Sequence, residues 1–355
     1  MNMNEELGVP TNITGITQAI RANIMEFLTE LAKDNQICKA GQLTKDFAGS
    51  YTIENYTFNK LIIIFNVIAH DEPRFKDIQW AGAAFHDKMS PATWKKNKLR
   101  LMSSPDRDIV KLQFDIVIKH YLINNIRWRD VFLYTKQHNM REIDENIAHE
   151  IKHAYDAYIQ LNIGKNTRDR IIYDATEYNK FYFPSMLRDF FFNSYFFNAI
   201  ENLVRPTEFY QSLMSANTTK KEFLQQFRNY KVLEQAKQIE HLEYIDLVRS
   251  VGDQTLKRAY NDFMTNASNR AIDFAAQTIM DKIILSNPSL NGQLSLSTKL
   301  AYDELMKDVQ FFETKKWGKE AYPYFYKYQL SKMKKNAFRV KRKLAKIYAL
   351  LPKEN

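Results

Sequence analysis

Apolar residues recur along this chain in distinguishable rhythms. From Ile16 to Leu31 they fall at Ile20, Ile24, Phe27, Leu28 and Leu31, the three-and-four spacing of a helix that buries one face. Leu61 to Ala69 is a short β-branched run followed by Asp71-Glu72-Pro73. Such residues pack well on a pleated surface, so a buried strand ending in a turn is predicted. Ile78 to Phe85 reads as a second strand, and Leu112 to Ile118 alternates like a third. The polar, lysine-rich stretch from Ser90 to Arg107, with Pro91 and Pro105, predicts a loop, and Thr44 to Asn59 is ambiguous.

Beyond Gly164 the spacing turns helical and aromatic-rich: Phe181 to Met214, Lys220 to Val251, Leu256 to Leu285, Leu296 to Phe312, and about Tyr322 to Leu350. Asn287-Pro288 and Asn291-Gly292 mark a turn between two of these segments. The predicted fold is α+β and predominantly helical, a small mixed sheet leading into one special helix, with a large helical C-terminal half. The chain divides into an N-terminal helical segment (1–60), an upper subdomain with the special helix (61–165), a helical lower subdomain (166–315) and a basic, aromatic-rich C-terminal helix (316–355).

That special helix runs from about Arg141 to Leu161. At about 100° per residue, Ile143, Ile147, Ile151, Ala154, Tyr155 and Tyr158 form one apolar arc, while His149, His153 and Asp156 share the opposite side. His149-Glu150-Ile151-Lys152-His153 is an H-E-x-x-H sequence. Residues i and i+4 lie one above the other, so both imidazoles can reach one tetrahedral Zn²⁺, with Glu150 beside it as a candidate base for a water. Two histidines on a solvated helix face are the plain alternative. Asp156, one turn beyond His153, is a candidate acceptor for the free N–H of a ligand histidine, or simply a surface aspartate.

A few strands, then a helix carrying His149-Glu150-x-x-His153, then a helical subdomain, resembles the zincin metallopeptidase fold over about Leu61 to Tyr210. The resemblance implies a substrate peptide added to an edge strand, the H-E-x-x-H helix as the cleft floor, and a third metal ligand from downstream. Metzincins place Gly and His after the motif, whereas positions 156 and 159 here are Asp and Ile; a glutamate, as in gluzincins, is therefore implied. Glu177, Glu201 and Glu208 are in reach. The segment Tyr195 to Tyr210 resembles a second-helix motif of H-E-x-x-H proteins common in bacterial and bacteriophage genomes. There an aromatic pair precedes, and a Phe-Tyr pair follows, the metal-binding glutamate, which favours Glu201. The implied activity is zinc-dependent hydrolysis of a peptide or protein, with His149, His153 and Glu201 as ligands and Glu150 as general base. Tyr195, Tyr210 and His241 are candidate oxyanion donors, whereas His70, His86, His120 and His138 read as structural.

Composition adds boundaries. No run of eighteen apolar residues occurs, the start lacks the pattern of a signal peptide, and Cys38 is the single cysteine. These features predict no membrane span, no internal disulfide and a reducing compartment, the cytoplasm of a host cell or a virion if the chain is phage-encoded. The net charge of +10 is uneven: Lys332 to Lys346 holds eight Lys or Arg and no acid. A solvated helix face is the ordinary reading of such a run, and nucleic acid is a second. Together with the aromatic stretch Tyr322 to Tyr328 it also suits docking in an assembly, as in a structural protein, for instance a phage virion component, carrying a zincin-like domain, active or inactive.

Overall fold

The computed structural model describes residues 6–33, 36–71, 77–85, 109–163, 184–198, 201–266 and 322–352. Helix α1 (Ile13–Lys33) precedes strands β1 (Gly41–Ile53), β2 (Tyr56–His70), β3 (Ile78–Phe85) and β4 (Ile109–Lys119). Then come α2 (Trp128–His138), α3 (Met140–Ile163), α4 (Ser185–Phe196), α5 (Glu201–Ser215), α6 (Phe223–Arg228), α7 (Lys231–Glu240) and α8 (Tyr244–Val251). A further helix, α9, covers 253–266, and α10 (Tyr322–Lys346) ends in a 3-10 turn, Ile347–Leu350. The fold is thus mixed α+β and mostly helical, with a small four-stranded mixed sheet.

The sheet order is β1-β2-β4-β3. β1 and β2 form an antiparallel hairpin, β2 and β4 run parallel, and β3 pairs antiparallel with β4 at the other edge. Alternate positions of β2 and β4 are buried and most of those between are only partly exposed, so β2 reads as an apolar run and β4 as an alternation, and both are plain in the sequence. β1 is not: most of its positions are exposed, and its register shifts between Ala48 and Tyr51. An edge strand with a bulge shows little alternation to read. The division at residue 60 is corrected accordingly, because the sheet begins at Gly41 and the 1–60 segment is helical only in its first half.

Helices α1, α2 and α3 cover one face of the sheet, α5 lies against α3, and α10 packs on α5 and α7. Aromatic contacts weld the first interface: Phe27 of α1 stacks on Phe65 of β2 at 4.6 Å, and Phe65 meets Trp80 edge-on at 5.5 Å. Trp80 donates its indole N–H to Thr135 Oγ1 of α2 at 3.1 Å, so burying its polar edge leaves no unmet donor there. Ile143, Ile147, Ala148, Ile151 and Ala154 are the buried back of α3, as the apolar arc predicts; Tyr155 is half-buried against the core, and the side chain of Tyr158 lies outside the described residues. Asp144, also buried, is held by Arg21 of α1 at 2.8 Å and by the Ser215 hydroxyl at the end of α5 at 2.6 Å. These bonds fix α3 between its two neighbours.

The helical half is broken more often than the apolar spacing suggests. Phe181–Met214 is interrupted after Phe196, and Lys220–Val251 is three helices. The predicted loop Ser90–Arg107 and helix Leu296–Phe312 lie outside the described residues, as do Glu177 and His86.

Candidate metal centre

α3 presents His149 and His153 on one face because they are four residues apart, and α5 crosses that face with Glu201 in its first turn. Asn198 sets where that turn begins: its Oδ1 accepts the Glu201 backbone N–H at 2.9 Å, and its carbonyl accepts the N–H of Asn202. This is how an N-capping side chain fixes a helix start, and it delivers the Glu201 carboxylate to the two imidazoles. His149 Nε2 and His153 Nε2 are 3.1 Å apart, Glu201 Oε2 is 3.3 Å from the former, and Glu201 Oε1 is 3.3 Å from the latter.

These separations are short enough for the three side chains to share one cation. Donors bound tetrahedrally at about 2.0–2.1 Å stand roughly 3.3 Å from one another; the two nitrogens are spaced close to this, and each stands 3.3 Å from a different oxygen of the Glu201 carboxylate. The two Nε2 atoms bond each other only when one ring carries its proton there and the other does not, whereas a cation among the donors is bound by both rings with Nε2 bare. Among the described residues, His149, His153 and Glu201 are the group of His, Cys, Asp and Glu able to hold a metal ion.

The electrostatics agree with the distances. Burial alone disfavours a charged His149, but the Glu201 carboxylate, with bonds to Glu201 and Glu208, more than reverses this and raises its pKa to about 9. Burial likewise works against an ionised Glu201, which is 1% exposed, yet the adjacent His153 and His149 hold its carboxyl well below the usual carboxylate range. The point between the donors therefore attracts positive charge, and a proton on His149 is the smallest cation that can supply it.

Glu208, on the next two turns of α5, completes the support. Its Oε2 lies 3.0 Å from His149 Nδ1, which leaves Nε2 as the nitrogen that faces His153 and Glu201. Arg205 donates to Glu208 Oε2 at 2.6 Å and to Glu201 Oε2 at 3.2 Å, and its guanidinium lies 4.0 Å from the Phe196 ring centroid. Lys231 of α7 forms an ion pair with Glu208 Oε1 at 2.6 Å. Burial opposes ionisation of Glu208 as well, and Lys231 and Arg205, then His149, override it and hold its pKa well below the ordinary value. One guanidinium thus ties the carboxylate facing the two Nε2 atoms to the carboxylate behind His149.

Of the residues singled out from the sequence, His149, Glu150, His153 and Glu201 converge: Glu150 Oε1 lies 3.9 Å from His149 Nε2, with its side chain 10% exposed. Asp156 bonds Lys152 one turn back, and the carboxylate at His149 is Glu208. The helical spacing placed Asp156 on the correct face of α3, but Lys152 on the same helix captures it. Glu208 was in view only as an alternative ligand; its spacing of i+7 from Glu201, with Arg205 at i+4, is the signal that puts all three on one face of α5. His241 is exposed at the end of α7, and Tyr195 and Tyr210 are half-buried beside the core. No protein-family model matches the chain, and neither does any curated protein or solved structure. No described helix is long and apolar enough to cross a membrane.

Proposed function

We propose that the chain is a zinc-dependent peptidase of zincin-like, gluzincin-type architecture, with Zn²⁺ held by His149, His153 and Glu201. The observation that carries this reading is the convergence of His149 Nε2, His153 Nε2 and the buried Glu201 carboxylate, the two nitrogens 3.1 Å apart and each 3.3 Å from a different oxygen of Glu201, with the acidic side chain of Glu150 alongside. Two imidazoles and a carboxylate with an open fourth position is a catalytic rather than a structural zinc donor set. The sheet supports it too, since β3 is an edge strand lying against α3, where an extended peptide can add as a further strand.

Zinc at such a site acidifies a water toward a pKa of ~7 and polarises a carbonyl. The residues of the chain do the rest. His149 is locked in one tautomer by Glu208 on Nδ1. Arg205 donates to Glu201 and Glu208 together and, with the two histidines at Glu201 and Lys231 at Glu208, keeps both ionised in a buried place. Glu150 Oε1 takes the proton of the attacking water and passes it to the leaving amine nitrogen, the general-base role that suits a carboxylate at this position.

A Glu150→Gln protein tests the assignment. It is expected to retain zinc and fold while cleaving a quenched-fluorescent peptide library at least ~100-fold more slowly. Full activity in Glu150→Gln removes that residue from the role. A zinc-loaded wild-type protein that cleaves nothing favours instead a zincin-like domain serving as scaffold.

A further inference from the structure

Helix α10 turns Phe325, Tyr326, Leu330, Met333, Val340 and Leu344 into the core. Stepping about 100° per residue from Lys335, those side chains occupy one arc. Directly opposite, within about 40° of one line, fall Tyr324, Tyr328, Lys335, Arg339, Arg342 and Lys346. This outward line is about 33 Å long at 1.5 Å per residue. Between Tyr322 and Lys346 there is no acidic residue. Lys335 and Arg339 make no ion pair among the described residues, whereas Lys346 is paired with Glu6.

The line is not only charged. Tyr324 and Tyr328 stack with ring centroids 6.2 Å apart at 25°, and both are exposed. Phe338 is 62% exposed, an unusual position for a phenylalanine, with the Arg342 guanidinium 5.8 Å from its ring centroid. A helix face kept merely soluble has no use for an outward phenylalanine ring.

We propose that this face of α10 binds single-stranded nucleic acid, the backbone phosphates running along Lys335, Arg339 and Arg342 and a base stacking on Phe338. Cations in a row track a phosphate backbone, and rings beside them accept bases of any identity. A membrane surface fits less well, because an interfacial helix needs a free apolar face and that of α10 is already packed in the core. A duplex leaves no base face free for the rings. The proposal is independent of the metal site.

Fluorescence anisotropy with a labelled thymidine 20-mer tests it on the full chain. Neutralising about three phosphates predicts a slope near −2 in a plot of log affinity against log salt, about a 20-fold loss between 50 and 200 mM. The triple variant Lys335→Gln, Arg339→Gln, Arg342→Gln should flatten that slope towards zero. Phe338→Ala should bind roughly tenfold more weakly with the slope unchanged. All four side chains are exposed, and unchanged circular dichroism confirms intact protein. Absence of binding at 50 mM salt, unchanged affinity in the triple variant, or equally tight binding to polyglutamate or to phosphatidylserine vesicles overturns the proposal.

Discussion

Replacing Glu208 probes the least obvious part of the site, the carboxylate behind His149. Its Oε2 receives both His149 Nδ1 at 3.0 Å and Arg205 at 2.6 Å, while Oε1 faces Lys231. In Glu208→Gln the amide oxygen can keep the His149 and Arg205 contacts, and the amide nitrogen then faces Lys231, whose side chain is 49% exposed and free to turn to water. The loss is mainly one negative charge, so zinc affinity is expected to fall about tenfold, the low end for a ligand-orienting partner, with about 1–2 kcal/mol of stability lost. Glu208→Leu removes every acceptor. His149 then loses its orientation and Arg205 keeps only Glu201, so affinity should fall about 100-fold and stability by roughly 3–5 kcal/mol. Asp156→Asn is the control, because Asp156 bonds Lys152 and not a ligand histidine; its zinc affinity should stay within about twofold of wild type. Competition with a chromophoric chelator, alongside urea unfolding, measures both quantities. Wild-type zinc affinity in folded Glu208→Gln and Glu208→Leu, or a large loss in Asp156→Asn, refutes the reasoning.

Two further outcomes follow from the same contacts. His149 has a folded-state pKa near 9 against an ordinary 6.5, and a raised value stabilises the metal-free fold fully below about 6.5 and no longer above about 9. The melting temperature of metal-free protein should therefore fall between pH 6.5 and 9, while zinc affinity climbs over that window as the proton leaves Nε2; a flat or rising melting curve there contradicts the arrangement. Phe65→Ala removes the ring that touches both Phe27 and Trp80 and should cost about 3–5 kcal/mol in urea unfolding, whereas a loss below about 1 kcal/mol would mean that α1 is not packed on the sheet as described.

How much of this was readable in advance depended on whether a residue's partner was local. β2 follows from a β-branched apolar run, β4 from alternation and α3 from a three-and-four apolar period, because burial leaves its mark on the chain itself. β1 left little mark, being exposed along most of its length. The entry into α5 was legible but easily passed over: Asn198-x-x-Glu201 has the residue pattern of a capped helix start, yet apolar residues run through it without a Gly or Pro, while Pro206, the usual sign of a break, sits inside the helix. At the candidate metal centre the pair His149 and His153 needs only helical geometry. Glu201 needed a resemblance, and Glu208 needed the crossing of α3 by α5, which no local spacing encodes.

Zinc K-edge X-ray absorption on the zinc-loaded full-length protein tests the central claim most directly. One zinc per chain should be retained, with two nitrogen ligands at about 2.0–2.1 Å, oxygen completing the sphere at about 2.0–2.2 Å, and no sulfur. Failure to retain zinc, or a spectrum in which the two nitrogens persist in His149→Ala and His153→Ala proteins, contradicts it.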